Sequence, residues 1–241
     1  AGNDFGGAAS LTGGAAAIGD VNTLTLDALD LDSLAATSHG DLSLGGGIIA
    51  GALAADSNGG AIGQSGALLV GGTSAIDAGT GAIALDHAGN DFGGAVAVAG
   101  GAAAINDAGA LALGTLDLAS LSASSHGALG LGAGSIAGTL DADSNGGAIG
   151  QSGALSVGGT GTLDAGTGAI ALTHAGNDFE GAVSLAGGAV AINDVNALTL
   201  GTLDVASLDA SSHDTLDLGM GTVTGNLVAN SNGGAIGQSG A

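Results

Sequence analysis

The sequence predicts an all-β protein, a parallel β-helix or β-solenoid built from stacked coils. The first observation is an internal repeat: AGNDFGGA begins at Ala1 and again at Ala88, and AGNDFEGA begins at Ala175, so the step is 87 residues. Such self-similarity at a fixed period is typical of solenoid proteins. We therefore predict a single continuous β-solenoid segment over residues 1-241, with repeat units 1-87, 88-174 and an incomplete 175-241.

The second observation is that the repeat subdivides. A unit of 87 residues contains four related stretches of about 22 residues, each with short alternating apolar segments between corners of Gly, Asn, Asp and Ser. This length suits one coil of a parallel β-helix, so the sequence predicts about four coils per 87-residue repeat.

The third observation is a two-residue alternation within the repeat. Positions equivalent to Ile49, Leu53 and Ala55 stay apolar in each copy, whereas Ala54 is replaced by Asp141 and then by Val228. One fixed side and one free side are typical of a strand with a buried and a wet face. The same alternation keeps leucine at the positions of Leu24, Leu26, Leu111, Leu113, Leu198 and Leu200.

The corners have turn chemistry of their own. SNGG at Ser57–Gly60 and DAG at Asp77–Gly79 supply residues that tolerate a positive φ. Proline is absent, as expected if each strand has a neighbour on both sides and uses its backbone N–H. Phenylalanine occurs only at Phe5, Phe92 and Phe179, and we expect it to fill a wider corner of the core.

The charge of the chain excludes whole classes of partner. Lys and Arg are absent, Asp and Glu total 22, and the formal net charge is −22. Nucleic-acid binding needs cations that neutralise phosphates, so no nucleic acid is expected as a partner. No apolar run reaches the roughly 18 residues of a spanning helix, so no membrane insertion is expected. A hydrophobic content of 45% argues against disorder.

The acidic residues do not predict an active site. Asp30, Asp32, Asp117 and Asp204 are distributed by the repeat without forming a unique cluster, whereas glycoside hydrolysis requires two carboxylates in one cleft. We therefore predict solvated carboxylates, no enzyme, and neither catalytic nor cofactor-binding residues. A polysaccharide-active β-helix enzyme is the less favoured alternative.

Metal ligands are not predicted either. Equivalent histidines are four coils apart, or about 19 Å, and are expected to be exposed corner residues (His39, His126 and His213; His87 and His174). For calcium, the candidates are the GNDF aspartates and those before SNGG (Asp4, Asp91 and Asp178; Asp56 and Asp143). One carboxylate per corner is too few for six to eight oxygen ligands, so only weak, diffuse Ca²⁺ binding is expected.

Several segments resemble a known family. AGNDFGGAV, ALTLGTLDVASLDASS, LDAGTGAIAL and GTVTGNLVANSNGGAIGQSGA are similar to the repeat regions of filamentous-haemagglutinin-like adhesins, which leave the cell by two-partner secretion. The resemblance implies a right-handed β-helix shaft, an extracellular or cell-surface location, and a role in attachment, aggregation or biofilm. It transfers no binding residue.

The resulting expectation is a structural shaft of a large secreted adhesin or matrix fibre. The alternative is a self-assembling extracellular filament or sheath subunit, because strands at the open end of a solenoid can pair with another copy. The partners expected are host or bacterial surface glycans or proteins, together with end-to-end or lateral self-association.

Overall fold

The predicted fold class is confirmed. The computed structural model describes residues 2–240 as an all-β parallel β-solenoid of about 12 turns with ~19 residues per turn, and these residues contain no helix. The strands are β1 (Ala9–Gly19), β2 (Leu24–Thr37), β3 (Leu42–Ser43), β4 (Gly46–Ile49), β5 (Leu53–Asp56), β6 (Ile62–Gly63), β7 (Leu68–Val70), β8 (Ser74–Asp77), β9 (Ile83–Leu85), β10 (Asp91–Phe92), β11 (Val96–Asp107), β12 (Leu111–Ser125), β13 (Leu129–Gly130), β14 (Ala133–Ile136), β15 (Leu140–Asp143), β16 (Ile149–Gly150), β17 (Leu155–Val157), β18 (Gly161–Asp164), β19 (Ile170–Leu172), β20 (Asp178–Phe179), β21 (Val183–Asn193), β22 (Leu198–Ser211), β23 (Leu216–Asp217), β24 (Met220–Val223), β25 (Leu227–Asn230) and β26 (Ile236–Gly237).

Packing divides the chain into two compact units. Unit 1 is Ala1–Ala119 and unit 2 is Ser120–Ala241.

In unit 1 a coil contains three strands, one for each face of the solenoid. Strands β3, β4 and β5 form one coil, and each pairs in parallel with its counterpart β6, β7 or β8 in the next coil. The register is in step, so that Leu53 lies opposite Ser74 and Ala55 lies opposite Ile76. Because these ladders join successive coils, the backbone hydrogen bonds run along the axis.

The core follows the predicted alternation. Ile49, Leu53 and Ala55 are buried, and so are their equivalents Ile136, Leu140 and Ala142. All six leucines predicted from the second alternation are also buried: Leu24, Leu26, Leu111, Leu113, Leu198 and Leu200. The interleaved positions, such as Ala54 and Asp141, are exposed. Stacked small cores therefore replace a single large one.

The repeat does not return to the same face in unit 2. The column of paired residues that starts at Leu121 passes, coil by coil, through Leu140, Gly161, Val183 and Leu200. Four coils after Leu121, the chain has therefore reached residue 200. The residue equivalent to Leu121 is Leu208, eight residues further along. Leu208 completes a different column, which starts at Leu129 (Leu129, Ile149, Ile170, Val190, Leu208).

One repeat thus comprises four complete coils and one of the three faces of a fifth coil. Unit 1 shows the same offset: the column that starts at Leu24 passes through Leu42, Ile62 and Ile83 to Ala103, whereas the equivalent of Leu24 is Leu111. The predicted figure of about four coils is refined to about four and one third. Equivalent residues within a unit consequently lie on neighbouring faces as well as at different heights.

The corners adopt the backbone conformations that their residues predict. Asn58, Asn145 and Asn232 have φ values of 51°, 48° and 50°, and Gly79 has a φ of 57°. Gly47 has a φ of 140°, and a Cβ at this position would overlap the Leu29 carbonyl of the coil below. Phe92 and Phe179 are buried as predicted, whereas Phe5 in the first coil is partly exposed.

Candidate functional surfaces

The aspartates considered for catalysis point outward. Asp30, Asp32, Asp117 and Asp204 are exposed on strand faces. Among residues 2–240, no group of three or more His, Cys, Asp or Glu side chains is placed to hold a metal ion. Asp117 lines a groove of unit 1 together with Asp56 and Asp77.

The histidines lie at corners, as predicted. His39, His87, His126, His174 and His213 are all exposed. His87 Nδ1 accepts a hydrogen bond from Gly89 N at 3.0 Å, and His174 Nδ1 accepts one from Gly176 N at 3.1 Å. These two rings therefore stabilise their own corners through Nδ1.

The aspartates before SNGG form Asx turns. Asp56 Oδ1 accepts from Asn58 N at 2.8 Å, and Asp143 Oδ1 accepts from Asn145 N at 2.7 Å. Asn230 makes the same bond to Asn232 N at 3.0 Å. Because an amide oxygen replaces the carboxylate oxygen there, the turn requires an acceptor at this position but no charge.

At the GNDF corner the aspartates are peripheral. Asp4 Oδ1 accepts from Asn22 Nδ2 at 3.2 Å, and Asp178 Oδ1 accepts from Asn196 Nδ2 at 3.0 Å. The position of Asn22 and Asn196 is Gly109 in the second copy, so Asp91 has no equivalent of this bond. These bonds hold a corner to the coil above it.

The asparagine of the GNDF corner has a structural role. Asn177 is fully buried and forms two hydrogen bonds with the Gln151 amide, Nδ2 to Oε1 at 2.8 Å and Oδ1 from Nε2 at 2.7 Å. It also accepts from Leu155 N and donates to Leu172 O. Asn90 and Gln64 repeat this arrangement in unit 1. The amide pair fastens one coil to the next, and it satisfies polar atoms of an asparagine that is buried away from water.

Sequence reasoning missed a set of buried aspartates. Asp20, Asp107 and Asp194 are spaced by 87 residues and are at most 4% exposed. Asp194 Oδ2 accepts from Phe179 N and Oδ1 from Asn196 N, both at 2.8 Å. Their sequence signal is an aspartate two residues before Asn22, Gly109 or Asn196, in the coil after GNDF.

Burial shifts the titration of two of these groups. Desolvation raises the pKa of Asp107 and of Asp194 above the ordinary value, and the two backbone N–H donors at each carboxylate oppose that rise. The carboxylate of the preceding corner, Asp91 or Asp178, adds a smaller upward contribution to the pKa. Each corner thus keeps a carboxylate in an environment that disfavours its charge.

Unit 1 contains an apolar groove on the face formed by β5 and β8. Its volume is about 360 Å³. The outward alanines of successive coils form its floor: Ala35 pairs with Ala54, and Ala54 with Ala75, while Ala97 continues the column. We call Ala35, Ala54, Ala75 and Ala97 the alanine floor.

On β5 and β8, carboxylates border the alanine floor two residues further along the strand. Asp56 lies opposite Asp77 in the next coil, Ala99 follows Asp77, and Asp117 lines the end of the groove. We call Asp56, Asp77 and Asp117 the acidic rim. The acidic rim and the alanine floor together make a surface that is apolar at its centre and negative along one side.

The comparison with known families is informative at the level of the repeat. A family model described as repeats of unknown function (DUF5649) matches residues 31–99, 119–186 and 207–241. The chain belongs to this family. No curated protein matches the chain, and no solved structure matches it. In residues 2–240, no helix has the length and apolar character needed to cross a bilayer.

Proposed function

We propose that the chain is a section of the structural shaft of a large secreted adhesin or extracellular matrix fibre. The observation that carries the proposal is the coil-on-coil ladder, in which each strand of one coil pairs in parallel with a strand of the next, as β15 does with β18 and β18 with β21. Such a ladder makes length proportional to the number of repeats, since each coil contacts only its neighbours.

The surface supports a mechanical role and argues against catalysis. Inward positions keep their apolar side chains between copies, whereas outward positions exchange freely, as at Ile48, Ser135 and Thr222. The offset of one face per repeat also places equivalent residues of successive repeats, such as Leu121 and Leu208, on different sides of unit 2. A shaft needs only the inward pattern, so it accommodates both features.

The resemblance of the repeats to filamentous-haemagglutinin-like adhesins supports the same assignment. In this proposal the chain lies outside the cell and serves attachment, aggregation or biofilm by holding a binding region away from the surface. The partners would be host or bacterial surface glycans or proteins. A net charge of −22 fits a solvated fibre and excludes nucleic acid.

A change in repeat number tests the proposal. We expect insertion of a second copy of residues 88–174 to add about four coils, and therefore to lengthen the particle by roughly 20 Å along the coil axis. Small-angle X-ray scattering of the parent and lengthened chains measures this change. An unchanged maximum dimension would contradict the shaft assignment, as would release of reducing sugars from a polysaccharide panel.

The second candidate is a subunit of a self-assembling filament or sheath. The parallel ladders would allow it, because the pairing that joins β3 to β6 and β6 to β9 within the chain could also join strands of separate copies. Electron microscopy with and without a chelator distinguishes the two: single particles support the shaft, and ordered filaments or cation-dependent bundles support the subunit.

A further inference from the structure

The groove of unit 1 has a feature that the shaft does not require. Its floor is apolar although it lies on the outward side of the strands, and the equivalent positions of the next repeat carry polar side chains. Ala36, Ala55 and Ile76 form the buried layer beneath it. Removing the alanine floor would leave that layer intact, so the floor is independent of the core.

Unit 2 provides an internal control. At the equivalents of the floor it has Ser122, Asp141, Thr162 and Ser184, each in place of an alanine. The acidic rim is kept there, since Asp143, Asp164 and Asp204 correspond to Asp56, Asp77 and Asp117. At this face the two units therefore differ in the polarity of the floor residues, whereas both have the three aspartates of the rim. The fold accommodates either floor, which means that stability does not explain the alanines.

The chemistry of the groove selects its occupant by charge. A second copy of this chain has no Lys or Arg and carries the same net charge of −22, so it cannot complement the acidic rim. Cationic side chains satisfy Asp56 and Asp77 while apolar groups cover the floor. Alanine side chains also leave room for a backbone to approach closely, which favours an extended polypeptide over a bulky ligand.

The spacing of the groove sets the length of that polypeptide. Five successive coils span about 19 Å at a coil spacing of about 4.8 Å, which corresponds to roughly six extended residues. The rim carboxylates at Asp56 and Asp117 are three coils apart, or about 14 Å. Side chains on one face of a strand recur every ~6.8 Å, so cations four residues apart match this separation.

We propose that the alanine floor and acidic rim of unit 1 bind an extended basic segment of a partner protein, with small apolar residues between two cationic residues spaced by four. Binding is electrostatic at the rim and apolar at the floor. It goes beyond the structural role proposed above and does not depend on it.

The test measures the binding of labelled heptapeptides to the 241-residue chain by fluorescence anisotropy. The probe is Ala-Lys-Ala-Val-Ala-Lys-Ala. One control peptide has the same composition with the two lysines adjacent, and a second has glutamate in place of lysine. We expect the parent chain to bind the spaced probe at low salt and to prefer it at least several-fold to both controls.

Two variants separate the floor from the rim. The floor variant combines Ala35→Ser, Ala75→Thr and Ala97→Ser, three uncharged residues that unit 2 already tolerates, and we expect it to lose about tenfold or more in affinity. The rim variant combines Asp56→Asn and Asp77→Asn and should lose several-fold while keeping the Asx turns, as Asn230 does.

A reciprocal variant tests sufficiency. Ser122→Ala, Asp141→Ala, Thr162→Ala and Ser184→Ala give unit 2 an alanine floor above its existing rim, so we expect a second binding site for the spaced probe. Circular dichroism confirms that every variant retains its strands. The proposal is overturned if the parent does not bind the spaced probe, if the floor variant binds it as the parent does, or if adjacent lysines bind equally well.

Discussion

Leu140 and Leu227 occupy the same position of the repeat and differ almost completely in exposure. Leu140 lies in an interior coil of unit 2 and is 1% exposed, whereas Leu227 lies in the last described coil and is 51% exposed. Both residues pair with a leucine in the coil below, Leu121 for Leu140 and Leu208 for Leu227. The difference is the coil above, which Leu140 has at Gly161.

The comparison shows where the stability of the solenoid originates. An inward side chain is only half covered by its own coil and the coil below, and the next coil excludes the remaining water. Ile149 and Ile236 form a second pair of the same kind, with exposed fractions of 1% and 50%. Each coil therefore depends on its neighbour for burial, as expected of a nearest-neighbour repeat protein.

The largest expected effect comes from truncating the two leucines. We expect Leu140→Ala to lower the free energy of unfolding by about 2–5 kcal/mol, because it leaves a cavity in a close-packed layer. In the 241-residue chain, Leu227→Ala should cost less than about 1 kcal/mol, because it removes a side chain that contacts water there. Urea unfolding followed by circular dichroism compares the two. Equal losses would refute the dependence on the coil above.

A smaller difference is expected at the glutamine of the amide pair. Gln151→Ala removes both hydrogen bonds to the buried Asn177 side chain, which keeps only its bonds to Leu155 N and Leu172 O. The expected loss is about 1–3 kcal/mol. The matched control is Gln238→Ala at the exposed equivalent in the last coil, where we expect less than about 0.5 kcal/mol. Hydrogen exchange at Leu155 N provides a local measure, and unchanged protection in Gln151→Ala would contradict this role.

The smallest effect concerns pH. The raised pKa of Asp194 means that its contribution to stability is present below the ordinary value of 3.8 and is lost as pH rises through the folded-state pKa. We therefore expect the unfolding free energy of the parent to increase relative to that of the Asp194→Asn variant as pH falls from 7 toward 4. Asp204→Asn, at an exposed position, is the control. A constant difference across this range would show that burial of Asp194 does not govern its titration.

Much of this architecture could be predicted from sequence because a repeat reports its own constraints. Comparing copies separates Ile49, Leu53 and Ala55, which stay apolar, from Ala54, which does not, and that contrast identifies the inward face. The positive φ at Asn58 follows from the Asn-Gly pair in its corner. These inferences need only local chemistry and the spacing of 87 residues.

Other features of the molecule depend on the three-dimensional arrangement of the coils and could not be predicted from the sequence. The offset of one face depends on how many residues each coil uses, and this varies: Leu121 to Leu140 takes 19 residues, whereas Ser156 to Asp178 takes 22. The burial of Asp194 also escaped prediction, because a carboxylate in a corner motif looks solvated until its two backbone donors are located. The groove of unit 1 depends on which outward alanines stack in one column, and only the pairing register shows this.

The offset of one face has a consequence for chains with different numbers of repeats. Each added or deleted unit of 87 residues turns everything after it by about one third of a revolution, so a downstream region would change its heading as well as its distance. By this offset alone, three units return the chain to the same face. Gain or loss of repeats would thus change the face of the solenoid from which a downstream region continues. Chains whose lengths differ by three units would share the same face.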